Sequence, residues 1–331
     1  MEYILFLSFI ISFIVTFVVT PLWIKRAKKA GLIGKDVHKL DRRSIAEVGG
    51  IAVITGFLFG MFVYIAIQTF YFENQIKSLE IMAALSTILI IALIGLIDDI
   101  LGWKIGLRQW QKPLLTLFAA LPMVVINAGH STMILPLLGR IDVGLLYPLI
   151  FVPTAITGAT NGFNMIAGYN GLEAKMGILI LSVLGLVSWI IWNTSASAIA
   201  FIAVFALIAF LYFNRYPSRV FPGNILTYSV GAMIAVITIL GNVERIALIL
   251  FIPYFIEFLL KLRGMFQKES FAKVLKDGSL DLPYDKFYGL EHVAVYINKR
   301  LKKKAYEKDV VNSLIIFQFI FIIISFMVWL L

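Results

Sequence analysis

Two adjacent carboxylates, Asp98 and Asp99, interrupt an apolar run that reads LIIALIGLIDDILG at 89–102. Acidic residues at the C-terminal end of a helix oppose the helix dipole, so helix propensity does not explain them. Carboxylates at membrane depth usually line a water-filled cavity or meet a cation. An adjacent pair suits Mg²⁺, which takes oxygen ligands and commonly bridges to substrate phosphates. We interpret the pair as functional; the alternative is a solvated helix end.

A second polar group is the run ATNGFNMIAGYNGLE at 159–173, which places Asn161, Asn164 and Asn170 among glycines. Glycines are poor helix-interior residues, so the pattern predicts broken or re-entrant backbone between two apolar helices. Such backbone is tolerated at membrane depth only when it is buried in protein or lines a cavity. Side-chain amides offer both donors and acceptors, which suits a nucleobase edge or a metal. An ordinary Asn-Gly turn is the alternative.

Basic residues and histidines are less specific signals. Arg219 lies beside the Pro-Gly turn of RYPSRVFPG at 215–223, where a helix begins, and this is a natural anion site. Lys112 opens another apolar segment. For both residues the alternative is the ordinary basic flank of a membrane helix. His38 and His292 are lone histidines in basic loops, and each is either a ligand or a solvated loop residue.

The composition predicts a polytopic membrane protein. The chain has 331 residues, of which 60% are hydrophobic and 15% are charged, too much apolar surface for one soluble core. Apolar runs of about 20 residues match the thickness of a bilayer. We predict an all-α fold of about ten transmembrane helices in one domain, 1–331, with a cytoplasmic loop at 263–310. The chain has no cysteine, which excludes disulfides. The predicted spans are 3–24, 46–69, 80–99, 111–128, 143–160, 175–193, 197–213, 225–241, 245–262 and 311–331.

The distribution of charge predicts the orientation. The net charge is +10, but 26 of the 29 Lys and Arg residues fall in the odd-numbered loops and at their helix ends, so a nucleic-acid partner is not expected. By the positive-inside rule these loops are cytoplasmic and both termini lie outside. The unusual polar residues fall in the same loops. We therefore predict a multi-pass protein of the cell membrane whose active site faces the cytoplasm.

Together these segments resemble the polyprenyl-phosphate N-acetylhexosamine-1-phosphate transferases of glycosyltransferase family 4. The most similar branch contains the UDP-GlcNAc:dolichyl-phosphate GlcNAc-1-phosphate transferase. The resemblance implies transfer of GlcNAc-1-phosphate from UDP-GlcNAc to a polyprenyl or dolichyl phosphate in the bilayer, with release of UMP. That reaction opens lipid-linked oligosaccharide and N-glycan assembly. The matching segments are GKDVHK at 34–39, VGG at 48–50, GLIDD at 95–99, NGFNMIAGYNGLE at 161–173, RYPSRVFPG at 215–223 and, more weakly, KDGSLDLPYDKF at 276–287.

The resemblance also implies a Mg²⁺ cofactor, with Mn²⁺ as an alternative. Asp98 and Asp99 match the catalytic pair, and Asp99 supports the metal site. Asn164 matches a metal ligand. After FPG the family usually has aspartate, whereas this chain has Asn224, so its metal site carries one negative charge less. Weaker metal binding or low activity is the direct expectation.

The remaining implied roles concern the substrates. Lys112 matches a lysine that holds the diphosphate, and Asn170 matches a residue that recognises uracil. The arginine-bearing cluster of the ninth loop has no clear counterpart here, which leaves the sugar open. The full set of predicted substrate-binding residues is Lys35, Asp36, Lys112, Asn161, Asn170, Glu173, Arg219 and His292.

Three alternative functions remain at this stage. The first keeps the chemistry but uses another UDP-N-acetylhexosamine in a cell-wall pathway. The second is a membrane transporter, since transporters also combine broken helices with carboxylates at membrane depth. The third is an inactive paralogue, which only Asn224 motivates. Eukaryote-like motifs on a compact chain suggest an archaeal source, and a homodimer is retained as a candidate assembly.

Overall fold

The computed structural model describes residues 3–73, 78–135 and 139–330, and these are mostly helical. The last residue of the predicted span 311–331 lies outside the described residues. The helices are α1 (Phe6–Ala30), α2 (Gly50–Phe70), α3 (Ser78–Ile105), α4 (Gln111–Ala119), α5 (Leu121–Val125), α6 (Val152–Met165), α7 (Leu172–Ile190), α8 (Thr194–Asn214), α9 (Gly223–Gly241), α10 (Glu244–Leu250), α11 (Ile252–Arg263), α12 (Leu290–Lys302) and α13 (Glu307–Leu330). The strands are β1 (Ile33–Lys35), β2 (Ser44–Ala46), β3 (Thr132–Leu135), β4 (Gly139–Asp142), β5 (Lys273–Val274) and β6 (Leu280–Asp281).

Among the described residues, 7 helices are long and apolar enough to cross a membrane, namely α1, α2, α3, α7, α8, α9 and α13. The other three predicted spans fall on shorter or interrupted helices. The span 111–128 covers α4 and α5, 143–160 covers a π-helical turn and part of α6, and 245–262 covers α10 and α11. Proline near the start of α5 and of α11 removes a helical hydrogen-bond donor where the helix is interrupted. The number of ten spans and the outward termini remain predictions.

The described residues are mostly helical, as expected of an all-α chain, but they also form three antiparallel two-stranded hairpins in the connections. β1 pairs with β2 in the first loop, β3 with β4, and β5 with β6 inside the polar segment 263–310. Strands of two to four residues are too short for a clear alternation of apolar and polar residues, so sequence periodicity does not reveal them.

Helix α9 forms the centre of the bundle, where its residues from Ile225 to Gly241 are all buried. Two glycines on neighbouring helices allow close approach. A Cβ at Gly95 of α3 would lie 2.7 Å from the carbonyl oxygen of Asn224. A Cβ at Gly231 of α9 would lie 2.4 Å from the carbonyl oxygen of Ala159 in α6. Small residues are the usual means of close helix packing in membranes. Gly95 thereby brings the end of α3 onto the start of α9.

Candidate active site

A polar cleft of about 250 Å³ lies at one end of the helix bundle. Its walls come from the first loop, the end of α3, the break between α6 and α7, the start of α9 and the segment before β5. Six predicted site residues line it, and they are Lys35, Asp36, Asp99, Asn164, Glu173 and Asn224. The sequence motifs that lie far apart along the chain therefore converge on one cleft.

Asp99 is held by the backbone at the start of α9. Its Oδ1 accepts the N–H of Asn224 at 2.7 Å, and its Oδ2 accepts the N–H of Ile225 at 3.0 Å. The first amides of a helix lack intrahelical partners, and a carboxylate there also complements the helix dipole. Gly223 makes the approach feasible, since a Cβ on it would lie 2.4 Å from Asp99 Oδ2. These two hydrogen bonds orient the Asp99 side chain and attach the start of α9 to the end of α3.

Asp98 makes a different set of contacts, although it is the neighbouring residue. Its Oδ2 pairs with Lys112 Nζ at 2.6 Å and accepts the side-chain Nδ2 of Asn224 at 2.8 Å. Its Oδ1 accepts the backbone N–H of Leu107 at 2.7 Å. Asp98 is 5% exposed, so its charge is compensated almost entirely by these partners. The predicted catalytic aspartate and the predicted diphosphate-binding lysine are in direct contact.

The donors in the cleft fit a hard cation. Asp99, Asn164 and Asn224 line the same cleft and offer carboxylate and amide oxygens, which are the ligands that Mg²⁺ takes. Asn164 Oδ1 accepts the hydroxyl of Thr227 at 2.7 Å, which orients the amide. Because Asn224 turns its Nδ2 toward Asp98, its own oxygen is left for another partner. The residues present therefore match the chemistry of the implied metal.

The predicted break in the helical backbone is confirmed. α6 ends at Met165 and α7 begins at Leu172, with Gly168 at φ 108° and Gly171 at φ 78° between them. Glu173 stabilises this turn, because its Oε1 accepts the N–H of Gly168 at 2.7 Å. The break begins later than the glycine pattern indicates, so Asn161 and Asn164 both lie on the last turns of α6.

The first loop docks against the break through His38. Its imidazole stacks on Tyr169 with ring centroids 4.2 Å apart, and its Nε2 accepts the N–H of Ala272 at 3.3 Å. The pKa of His38 is lowered to about 4, mainly by burial, with a smaller raising effect of Asp36 and a smaller lowering effect of Lys39. A neutral ring at pH 7 is the form that can accept this hydrogen bond. His38 therefore joins three loops and is not a solvated residue.

Five predicted substrate-binding residues do not line the cleft, namely Lys112, Asn161, Asn170, Arg219 and His292. Lys112 contacts Asp98 and Asn170 contacts Asp36 beside the cleft, whereas the other three are turned elsewhere. Asn161 Nδ2 donates to Thr116 Oγ1 at 3.0 Å and ties α6 to α4. The guanidinium of Arg219 lies 5.4 Å from the centre of the Tyr212 ring, on the exposed side of its turn. His292 lies on the first turn of α12 and is fully buried, and its Nδ1 accepts the N–H of Tyr288 at 3.2 Å. Residue type and loop position suggested these three, but local packing turns their side chains elsewhere.

Four polar residues that line the cleft are absent from the sequence-based set, namely Glu47, Tyr169, Asn214 and Thr227. Glu47 lines the cleft with Asp99. Its position directly before VGG at 48–50 is a signal that could have identified it. Thr227 also lines the cleft and bonds to Asn164, but it lies one turn inside an apolar helix with nothing in the sequence to mark it.

The fold and the cleft define a class of protein, a polytopic membrane protein with an oxygen-rich polar site at one end of its bundle. A profile described as glycosyl transferase family 4 matches residues 81–242. A protein of Saccharolobus solfataricus is 39% identical over 284 residues, which cover 85% of this chain and 84% of the relative. A protein of Sulfolobus acidocaldarius is 35% identical over 88% of each chain. Both are named as candidate UDP-N-acetylglucosamine–dolichyl-phosphate N-acetylglucosaminephosphotransferases.

A protein of Dictyostelium discoideum that carries this name without qualification is 32% identical over 72% of this chain and 66% of its own length. The chain belongs to glycosyl transferase family 4, and the resemblance of its motifs to this family is confirmed.

Proposed function

We propose that this protein transfers GlcNAc-1-phosphate from UDP-GlcNAc to a polyprenyl or dolichyl phosphate and releases UMP, as the first step of lipid-linked oligosaccharide assembly. The observation that carries the proposal is the contact of Asp98 with Lys112 and Asn224, directly beside the cleft that Asp99 and Asn224 line. The names of the most similar relatives support the same substrates.

In this reaction an oxygen of the lipid phosphate attacks the β-phosphorus of UDP-GlcNAc. A P–O bond forms between the two, and the bond from the β-phosphorus to UMP breaks. The second pKa of a phosphate is about 6, so the nucleophile needs orientation more than a strong base. Lys112 supplies a cation beside Asp98, and such transfers depend mostly on positioning and on neutralised charge. A Mg²⁺ ion held by Asp99, Asn164 and Asn224 would supply further charge neutralisation.

The proposed orientation follows from the substrates and from the charge distribution. Polyprenyl phosphate presents its head group at the membrane interface, and nucleotide sugars are soluble. We propose ten spans with outward termini and a cleft on the cytoplasmic side. The hairpin β5–β6 would then lie in the cytoplasm, and β3–β4 would lie outside.

Single cysteines test this orientation. The chain has no cysteine of its own, so Lys276→Cys near β5–β6 and Arg140→Cys in β4 each introduce one exposed thiol. An impermeant maleimide applied to intact cells should label the Arg140→Cys variant, and the Lys276→Cys variant should react only after permeabilisation. Equal labelling of both variants in intact cells would refute the proposed arrangement.

The substrates are tested by UMP release from purified protein with Mg²⁺, polyprenyl phosphate and a panel of UDP-sugars. We expect the highest rate with UDP-GlcNAc. A higher rate with another UDP-N-acetylhexosamine would support the alternative pathway. No UMP release with any sugar would support an inactive paralogue.

Asn224→Asp tests the metal site. Asn224 Nδ2 donates to Asp98 Oδ2 at 2.8 Å, so aspartate would place two carboxylates in contact. A hard cation gains more from a carboxylate than from an amide. We expect the variant to melt at a lower temperature than wild type without Mg²⁺ and to recover more stability as Mg²⁺ is added. The Mg²⁺ concentration for half-maximal rate should fall about tenfold, a gain of about 1.4 kcal/mol.

The matched control is Asn193→Asp, the same change at the start of α8, where Asn193 Oδ1 accepts the N–H of Ala196. Its Mg²⁺ requirement should equal that of wild type. A higher or unchanged requirement in Asn224→Asp would mean that other residues hold the metal.

A further inference from the structure

We propose that Glu307, the first residue of the last helix α13, is a positioning residue that holds Asn170 ready to bind the uracil base of the nucleotide substrate. The inference rests on the proposed function and adds a residue that lies outside all the matching sequence motifs. It assigns to α13 a role in nucleotide affinity.

Glu307 contacts the break between α6 and α7 directly. Its Oε1 accepts the backbone N–H of Asn170 at 2.8 Å, and its Oε2 pairs with the ammonium of Lys39. Glu307 is only 4% exposed, so both contacts are shielded from water. Buried hydrogen bonds to a charged group are stronger than those between neutral groups. The backbone of Asn170 is therefore fixed from α13.

Asp36 holds the side chain of the same asparagine. Its Oδ2 accepts Asn170 Nδ2 at 3.0 Å, and its Oδ1 accepts the backbone N–H of His38 at 3.3 Å. Lys39 Nζ lies 3.8 Å from Asp36 Oδ2 and 4.0 Å from the centre of the Tyr216 ring. One lysine thus bridges the two carboxylates that orient Asn170.

After these contacts one polar atom of the Asn170 side chain is left. Asn170 Oδ1 is buried and has no hydrogen-bond partner in the part of the chain that the structure describes. A buried acceptor without a partner costs about 1–3 kcal/mol, so a ligand that donates an N–H there is favoured. Uracil carries such a donor in its imide N–H. Asn170 directly follows Gly168 and Tyr169, which line the cleft. Because Asp36 engages the amide nitrogen, this oxygen is the side-chain atom left to accept a hydrogen bond from a ligand.

The same cluster has a second chemical interpretation. Ligand atoms of Asp36, His38 and Glu307 lie within 4.8 Å of one another, close enough to hold a metal ion. The ammonium of Lys39 already contacts both carboxylates, however, and His38 Nε2 accepts a backbone N–H. A divalent cation would have to displace Lys39. The observed contacts favour a network that positions Asn170.

The test is Glu307→Gln, which keeps the shape of the side chain and removes its charge. The variant loses the ion pair with Lys39 and weakens the hydrogen bond that the Asn170 backbone N–H donates to residue 307. We expect the KM for UDP-GlcNAc and the Kd for UMP to rise about tenfold. The kcat should stay within about twofold of wild type, because the contact with uracil stabilises the bound substrate and the transition state equally. The KM for polyprenyl phosphate should not change.

The matched control is Asp309→Asn on the same first turn of α13. Asp309 pairs with Lys302 at 2.5 Å and accepts the N–H of Tyr306 at 3.0 Å, with no contact to Asn170. This change weakens the start of α13 and should leave the nucleotide affinity unchanged. Equal losses of UMP affinity in Asp309→Asn and Glu307→Gln would overturn the proposal, as would an unchanged affinity in Glu307→Gln.

A double variant tests the coupling. In an Asn170→Ala background the amide oxygen is absent, so Glu307→Gln should cause no further rise in the Kd for UMP. A further rise of the same factor would overturn the proposed route through Asn170. UMP binding is measured without turnover. A wild-type protein that binds UMP but releases none from UDP-sugars would therefore refute the proposed transfer, and the role of Glu307 would still be decided by these affinities.

Discussion

Changing Asp98 to asparagine is expected to slow UMP release at least about a hundredfold, which corresponds to about 2.7 kcal/mol of barrier. The variant should still fold in detergent. Asp98 is the partner of Lys112 and Asn224, so the neutral amide breaks the charge arrangement of the cleft. Lys112 is 24% exposed at its side chain and keeps some solvation, so the melting temperature should fall little.

Changing Asp99 to asparagine should cause a similar loss of rate with a larger loss of stability. Both oxygens of Asp99 accept backbone N–H groups at the start of α9. An amide can accept only one of them and turns its own donor toward the other. Loss of such a helix cap costs about 0.5–2 kcal/mol. The melting temperature of Asp99→Asn should therefore lie below that of Asp98→Asn.

Asp142→Asn is the control for both variants. Asp142 lies on β4 and accepts the N–H of Gly144, remote from the cleft. Its rate should equal that of wild type. Near-normal turnover in both Asp98→Asn and Asp99→Asn would remove the pair from the mechanism, and equal melting temperatures would contradict the capping role of Asp99.

The parts of the fold that could be predicted are those in which the sequence carries a strong local signal. Long apolar runs predict the membrane helices, and the glycines at 168 and 171 predict the broken backbone between α6 and α7. Asp98 and Asp99 are conspicuous because placing a charged side chain at an apolar helix end in a membrane costs free energy. The different hydrogen-bond partners of Asp98 and Asp99, including the bonds from Asp99 to the start of α9, could not be predicted. These contacts depend on how closely α3 approaches α9.

The parts that escaped prediction depend on contacts between distant segments. Lys39 and Glu307 are separated by 268 positions, and no local pattern relates them. Thr227 meets Asn164 only because α6 and α9 pack closely. Arg219 and His292 have suitable chemistry but do not reach the cleft. Arg219 lies against the exposed ring of Tyr212, and His292 is buried on the first turn of α12. Residue type identifies candidates, and tertiary packing selects among them.

Changing Lys112 to methionine is the second large effect that we expect, again at least about a hundredfold in rate. Truncating one partner of a buried charge pair costs about 2–5 kcal/mol, in part because the other charge is left unpaired. Here that charge is Asp98, whose Oδ2 would keep only the amide of Asn224. The variant also loses a cation that would stabilise charge on the transferring phosphates. Lys112→Arg keeps the charge and should retain more activity than Lys112→Met.

The control is Arg108→Met, which removes one positive charge from the same connection. Arg108 is exposed, whereas Lys112 is paired with Asp98. Its rate should stay within about twofold of wild type, because exposed charges are screened by salt. A loss as large as that of Lys112→Met would mean that only the net charge of the loop matters.

The double variant Lys112→Met with Asp98→Asn separates the two roles of the lysine. If Lys112 only neutralises Asp98, removing both charges restores the balance, and the double variant should be no slower than Asp98→Asn alone. If Lys112 also contacts the diphosphate, the double variant should be slower, with a higher KM for UDP-GlcNAc. We expect the second result, because the Lys112 ammonium is only 2.6 Å from an aspartate whose other contacts already compensate part of its charge. Equal rates in Asp98→Asn and in the double variant would restrict Lys112 to a supporting role for Asp98.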